Sequence, residues 1–300
     1  MANARGVRVG RGRISAIGIA VLAGLAVIAA SCTPPTGPAP RNWKVRPVSI
    51  EVLDQEDTDG GDEPYVIQIG FRSKLGVAGS TDVSIASQCR SGALPPADSG
   101  PVGAVVSVPP GSADISFPGV TNLDVGDLAL GFAPLEIIGT LAFVAERDGI
   151  FATCAITDLL DSSVRPLLDD ALELLIASQP VPPTQEQLIA LITDNISSLL
   201  GVIGGLIAAF IEGFGNPDDI IGIAAQIHLP TAGAFTNLLN TAFQIAGLFE
   251  PDLSLGILPL DQLGSGLKIR VGSLTSSTVD ILLGVPGTSY RYRSSVIPDN

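Results

Sequence analysis

Six carboxylates fall within the ten residues "DQEDTDGGDE": Asp54, Glu56, Asp57, Asp59, Asp62 and Glu63. Like charges this close repel one another and push carboxylate pKa values up unless a cation sits among them. Calcium suits such a cluster, because it takes roughly six to eight oxygens from carboxylates and carbonyls in a loose geometry. Gly60 and Gly61 would let the backbone turn sharply and offer its carbonyls. The EF-hand template does not fit. Counted from Asp54 its sixth position is Asp59 instead of glycine, and counted from Gln55 its twelfth is Val66 instead of glutamate. The competing reading is a solvated turn that keeps an exposed strand edge from aggregating.

Two more acidic turns bear on that choice. "VAERDG" ends a strand-like stretch with Glu146 and Asp148, and "GNPDDIIGI" sets Asn216, Asp218 and Asp219 ahead of the apolar run "IIGIAAQIHL". Asn216 followed by Pro217 also reads as a helix start, with the two aspartates favourable at the positive end of the dipole. If the fold is a sandwich, turns at one end of it lie close together, so the three could converge.

Catalytic equipment is sparse by comparison. His228 is the only histidine, inside the apolar "AQIHLP", and GxSxG, P-loop, HExxH and dinucleotide patterns do not occur. A carboxylate pair could still hydrolyse a glycoside. Carbohydrate sites want aromatic platforms, however, and aromatic residues make up 5% of this chain with a single Trp43. The expectation is a non-enzymatic protein, with a carboxylate-based hydrolase as an alternative.

The formal charge is −14. Arg5, Arg8, Arg11 and Arg13 lie in a segment read as a removable signal peptide, residues 1–31, which leaves 12 basic against 30 acidic residues. That surface repels nucleic acid and anionic headgroups and favours divalent cations. The apolar run Ile14–Ala30 is marginal for a membrane span and leads into "AASC". Ser31-Cys32 followed by "TPPTGPAP" resembles a bacterial lipobox, so Cys32 is the expected lipidation site, 32–43 the tether, and the cell membrane the partner through a lipid anchor. The protein is then exported, either held on the outer face of the membrane or secreted, where an envelope or surface partner could meet it. With Cys32 lipidated, Cys89 and Cys154 remain as an even pair for a disulfide in an oxidising compartment.

These groups need elements to position them. Residues 44–155 read as the first part of a β-sandwich: "VRPVSIEVL", "PYVIQIGFRS", "DVSIASQC" and "GAVVSVP" alternate apolar and polar, and "PLEIIGTLAFVAERDG" has a strongly apolar centre. Residues 156–250 read as a helical insertion, within which "IIGIAAQIHL" fits either a strand or a helix. "SSVRPLLDDALELLIAS" is amphipathic, a second helix starts at Thr184 with Gln187 at capping-box spacing, and "TAGAFTNLLNTAFQIAG" is a third. The uncharged stretch Asn195–Ile211 reads as a buried helix, with membrane insertion as the competing reading. Residues 251–300 hold closing strands, "GLKIRVGSL", "STVDILLGV" and "SYRYRSSVI", that must pair with the first ones. If the insertion and a sheet face enclose a cavity, lined by Gly201, Gly204, Gly205 and neighbouring Leu and Ile, the chain would be a carrier for lipid or another apolar ligand.

"VLDQEDTDGGDEPYVIQIGF", "FVAERDG", "NPDDIIG" and the terminal "YRYR" together resemble bacterial secreted C2-like β-sandwich proteins with an acidic loop before "DEPY", among them exported, lipoprotein-like proteins of actinobacteria. The resemblance implies an antiparallel sandwich with a helical insertion before the closing strands, and no enzymatic activity. It also implies bound calcium, with Asp57, Asp59, Asp62, Glu63, Glu146, Asp148, Asp218 and Asp219 as candidate ligands.

Overall fold

Alternating burial along Arg41–Asp54 (β1) turns Trp43, Val45, Ile50 and Val52 inward, with half-exposed Lys44, Arg46 and Glu51 between them. The register shifts between Pro47 and Ser49. A bulge is where a strand tolerates a proline that cannot donate to the ladder. β1 pairs antiparallel with Thr288–Pro298 (β10), Ile50 opposite Tyr292 and Val52 opposite Tyr290. The early and final strands therefore close on one another. Ser277–Val285 (β9) lies beyond β10, while Val105–Ser107 (β4) and Ile115–Val120 (β5) pair with separate parts of β1.

The second sheet orders Asp82–Ser87 (β3), Tyr65–Lys74 (β2), Glu136–Ala145 (β6), Ile220–Leu229 (β7) and Leu267–Ser273 (β8). Its pairs are antiparallel except β7 with β8, which run parallel. β6 and β7 are buried at every position, so both faces of this sheet are covered. Val66, Ala142, Val144 and Ala224 form one core with Ile50, Val52, Tyr290 and Tyr292 of the first sheet. On the opposite face Ile67, Phe71, Phe143 and Ile223 pack under helices. Gly139 is needed there because a Cβ would run into the Phe71 ring and stand 2.6 Å from the Gln226 carbonyl.

The structure is a computed structural model that describes residues 37–55, 61–131, 133–147, 154–182, 184–214, 220–245, 267–285 and 287–299. A short helix, Val125–Leu130 (α1), starts at a capping box in which Asp124 Oδ1 accepts from the Gly126 and Asp127 amides and Asp127 Oδ2 accepts from the Asp124 amide. Next come Ala155–Leu159 (α2), a π-turn at Leu160–Val164, Arg165–Leu172 (α3) and a second π-turn at Glu173–Ala177. Gln185–Phe214 (α4) begins where Thr184 Oγ1 accepts from the Gln187 amide, and Gly233–Ile245 (α5) joins β7 to β8.

The buried stripe of the α2–α3 segment is Ile156, Leu160, Val164, Leu168, Leu172 and Ile176, one every four residues. At 3.6 residues per turn each such step overshoots by about 40°, and five steps would carry the stripe roughly 200° around a straight α-helix. Each π-turn accommodates an extra residue and rewinds it. The sequence repeat thus explains why the segment is not plain α-helix.

Three expectations change. Residues 156–250 are not one helical insertion, because "IIGIAAQIHL", left open between strand and helix, is β7, an inner strand of the second sheet. The closing strands divide between sheets, β8 joining β7 and β9 with β10 joining β1. The sheets are not purely antiparallel, since a helical crossover returns β8 alongside β7. The fold is mixed α and β, with two sheets and a helical layer. The signal segment 1–31, Cys32, the acidic residues at 56–60 and 215–219, and Asp148 lie outside the described residues.

Candidate functional site

Three strand ends define one edge of the second sheet. β2 begins at Tyr65, β6 ends at Ala145 and β7 begins at Ile220, and Ala145 stands opposite both of the others. Asp62 and Glu63 precede β2, and Glu146 follows β6. The start of β10 reaches the same end, because the Tyr290 hydroxyl donates to Asp62 Oδ2 at 2.5 Å.

The described carboxylates there have structural engagements. Asp62 is fully buried, and its amide donates to the Gly100 carbonyl at 3.2 Å in an isolated bridge. The Glu63 carboxylate accepts from the Asp98 amide. A Cβ at Gly61 would stand 2.7 Å from the Pro101 nitrogen and one at Gly100 2.5 Å from the Asp62 carbonyl, so this close approach requires both glycines. Glu146 is buried at the end of β6. Asp57, Asp59, Asp148, Asp218 and Asp219 lie outside the described residues. Among the described residues no group of three or more His, Cys, Asp or Glu is placed to hold a metal ion.

Cys89 and Cys154 form a disulfide, with Cα atoms 5.5 Å apart. It ties the turn after β3 to the first residue before α2. Beside it Arg90 bridges Asp158 and Asp161, each at 2.8 Å.

A polar belt crosses the interior between the sheets. Gln68 Nε2 donates to the Tyr292 hydroxyl at 3.3 Å, and Gln226 Nε2 donates to Ser294 Oγ at 2.6 Å. Burial holds the Tyr292 hydroxyl far above the usual phenol range. His228, near the end of β7, is held neutral: burial first, then the Arg270 charge, lowers its pKa to about 4.

A cavity of about 320 Å³ lies between α1, the start of α4 and α5. Buried Leu75, Leu135, Leu188 and Phe235 form its floor, and half-buried Val125 and Leu128 of α1 its side. α1 is held there by its turn: the Leu123 amide donates to the Pro230 carbonyl, and the Ala232 amide to the Leu123 carbonyl. Gly131 closes the helix in the left-handed region, φ 68°. The glycines expected to line a cavity lie elsewhere. Gly201 and Gly205 are exposed with open space about them and Gly204 is buried, 13 to 17 residues further along α4 than Leu188, or roughly 20–25 Å of helix.

Sequence reasoning overlooked α1 and hence this cavity. The usable signal was Asp124 and Asp127 at capping spacing with Gly131 just past the end. Comparison with known proteins gives no match: no family model fits the chain, and no curated protein and no solved structure is similar to it.

Proposed function

We propose that this chain is an exported cell-envelope protein, a non-enzymatic binding or structural module with a C2-like sandwich, whose acidic rim takes calcium. A lipid on Cys32 holds it on the outer face of the membrane. The observation that carries the reading is the shared row Tyr65, Ala145 and Ile220. Every acidic segment named from the sequence flanks one of those three strand ends, so one cation site can draw on all of them. Asp62 and Glu63, already bonded to Tyr290 and the Asp98 amide, serve to fix the entry into β2, and the ligand role falls on the remaining carboxylates. The Cys89–Cys154 bond supports export, since such pairs persist in oxidising compartments.

Thermal unfolding of the chain lacking residues 1–31, in EDTA and in millimolar calcium, tests the rim. A ligand bound only by the folded state at about 100 times its Kd adds ~2.7 kcal/mol. The unfolding midpoint should rise with calcium, and the rise should vanish in Asp57→Asn/Asp59→Asn and in Asp218→Asn/Asp219→Asn. An unchanged midpoint, together with no heat in a calcium titration, removes the metal from the proposal.

A further inference from the structure

We propose that the cavity between α1, α4 and α5 is a binding site for a single aliphatic chain. Its volume, about 320 Å³, is at the lower end of the roughly 300–1,000 Å³ spanned by small-ligand sites. At about 30 Å³ per water-sized group, the two long tails of a diacyl lipid need roughly 900 Å³. The occupant is therefore one chain.

Chemistry narrows the class further. Among the described residues the lining carries no charged side chain, on a protein whose formal charge is −14. Burying an ion there would cost far more than the site could return. Among the described residues the aromatic surface of the lining is limited to Phe235. Leu75, Val125, Leu128, Leu135 and Leu188 instead present branched aliphatic surface, which a flexible methylene chain matches by area alone. The polar contributors, Thr184 and Gln185, sit together at the start of α4, and Val181 beside them is 59% exposed. That end is the mouth, where the ligand's polar head meets water.

The site is built from separate parts of the chain. Leu75 and Leu135 come from the ends of paired strands, Leu188 from α4, Phe235 from α5, and Val125 and Leu128 from a six-residue helix held at its N-terminal side by bonds to the turn after β7. That short helix forms one wall of the site, with Val125 and Leu128 turned to the cavity.

The test uses the Cys32→Ser chain, which cannot be lipidated, recovered after export without detergent and assayed in EDTA so that the outcome is independent of calcium. Dansylundecanoic acid is the fluorescent probe, with lauric acid and dodecanol as competitors. Both competitors should displace it at roughly 1–100 µM, because the chain is what is recognised. Ala133→Trp, which fills the cavity, should weaken binding at least tenfold at an unchanged unfolding midpoint. Val125→Asp, a half-buried position, should do the same if the first variant does not fold. Methyl NMR of the unsubstituted chain answers without either: lauric acid should move the Val125, Leu128 and Leu188 methyls first. Displacement by lauric acid alone, undiminished binding in a folded variant, or methyl shifts confined to other regions would each overturn the proposal.

Discussion

Asp62 shows how far a side chain's type can mislead about its role. Within "DQEDTDGGDE" it is one carboxylate among six, and charge density points to a cation. Its burial depends on Tyr290, 228 residues away, which no local pattern reveals. Tyr290→Phe removes the donor and keeps the ring. Leaving a buried acceptor without its donor costs roughly 1–3 kcal/mol, so the urea midpoint should fall by that equivalent. A loss below about 0.5 kcal/mol would mean that other groups carry Asp62. His228 is the complementary case, since its apolar surroundings in "AQIHLP" did foretell a core residue. The unfolded chain takes up a proton there below pH 6.5 and the folded chain only below about 4. Between those values the unfolded state binds more protons, so stability falls as pH drops through that window and levels off beneath it. The two pKa values, 6.5 and about 4, differ by roughly 3 kcal/mol of linkage. Unfolding at pH 7 and near pH 4 should show wild type losing that much more than His228→Leu, which lacks the titrating group.

At the scale of elements, what could be read depended on how many faces a segment buries. β1 and β10 bury one face, alternate in sequence and were legible as strands that must pair. β7 is buried throughout, so "IIGIAAQIHL" has no alternation and its period does not separate strand from helix. The amphipathic character of "SSVRPLLDDALELLIAS" was plain, but its strict four-residue stripe also implied the two π-turns, which a reading at 3.6 residues per turn passes over. The stripe makes a sharp prediction. Leu168, fully buried, should cost about 2–5 kcal/mol on truncation to alanine. Its neighbour Leu167, 52% exposed, should change stability by less than about 0.5 kcal/mol. Chemical denaturation of the two variants measures this, and comparable losses would mean that the segment is not wound as described.

On the scale of the whole molecule, the helical layer is bound to the second sheet both by its apolar face and by the covalent link at its entrance. The Cys89–Cys154 bond closes a separation of 65 residues between the turn after β3 and the start of α2. Ion pairs occupy the same junction, Arg90 with Asp158 and Asp161. Their relative weights follow from exposure and chain entropy. The Asp158 side chain is 66% exposed and Arg90 37%, so water screens the pairs and each contributes no more than about 1 kcal/mol. Constraining an unfolded loop of this length contributes roughly 4 kcal/mol. The Cys89→Ser/Cys154→Ser chain should therefore lose about 4 kcal/mol in urea unfolding, and Arg90→Ala about 1 kcal/mol or less. Added reductant should reproduce the first loss in wild type and leave the serine variant unmoved. If Arg90→Ala cost as much as the paired serines, charge and not the covalent closure would be what holds the helical layer at its entrance.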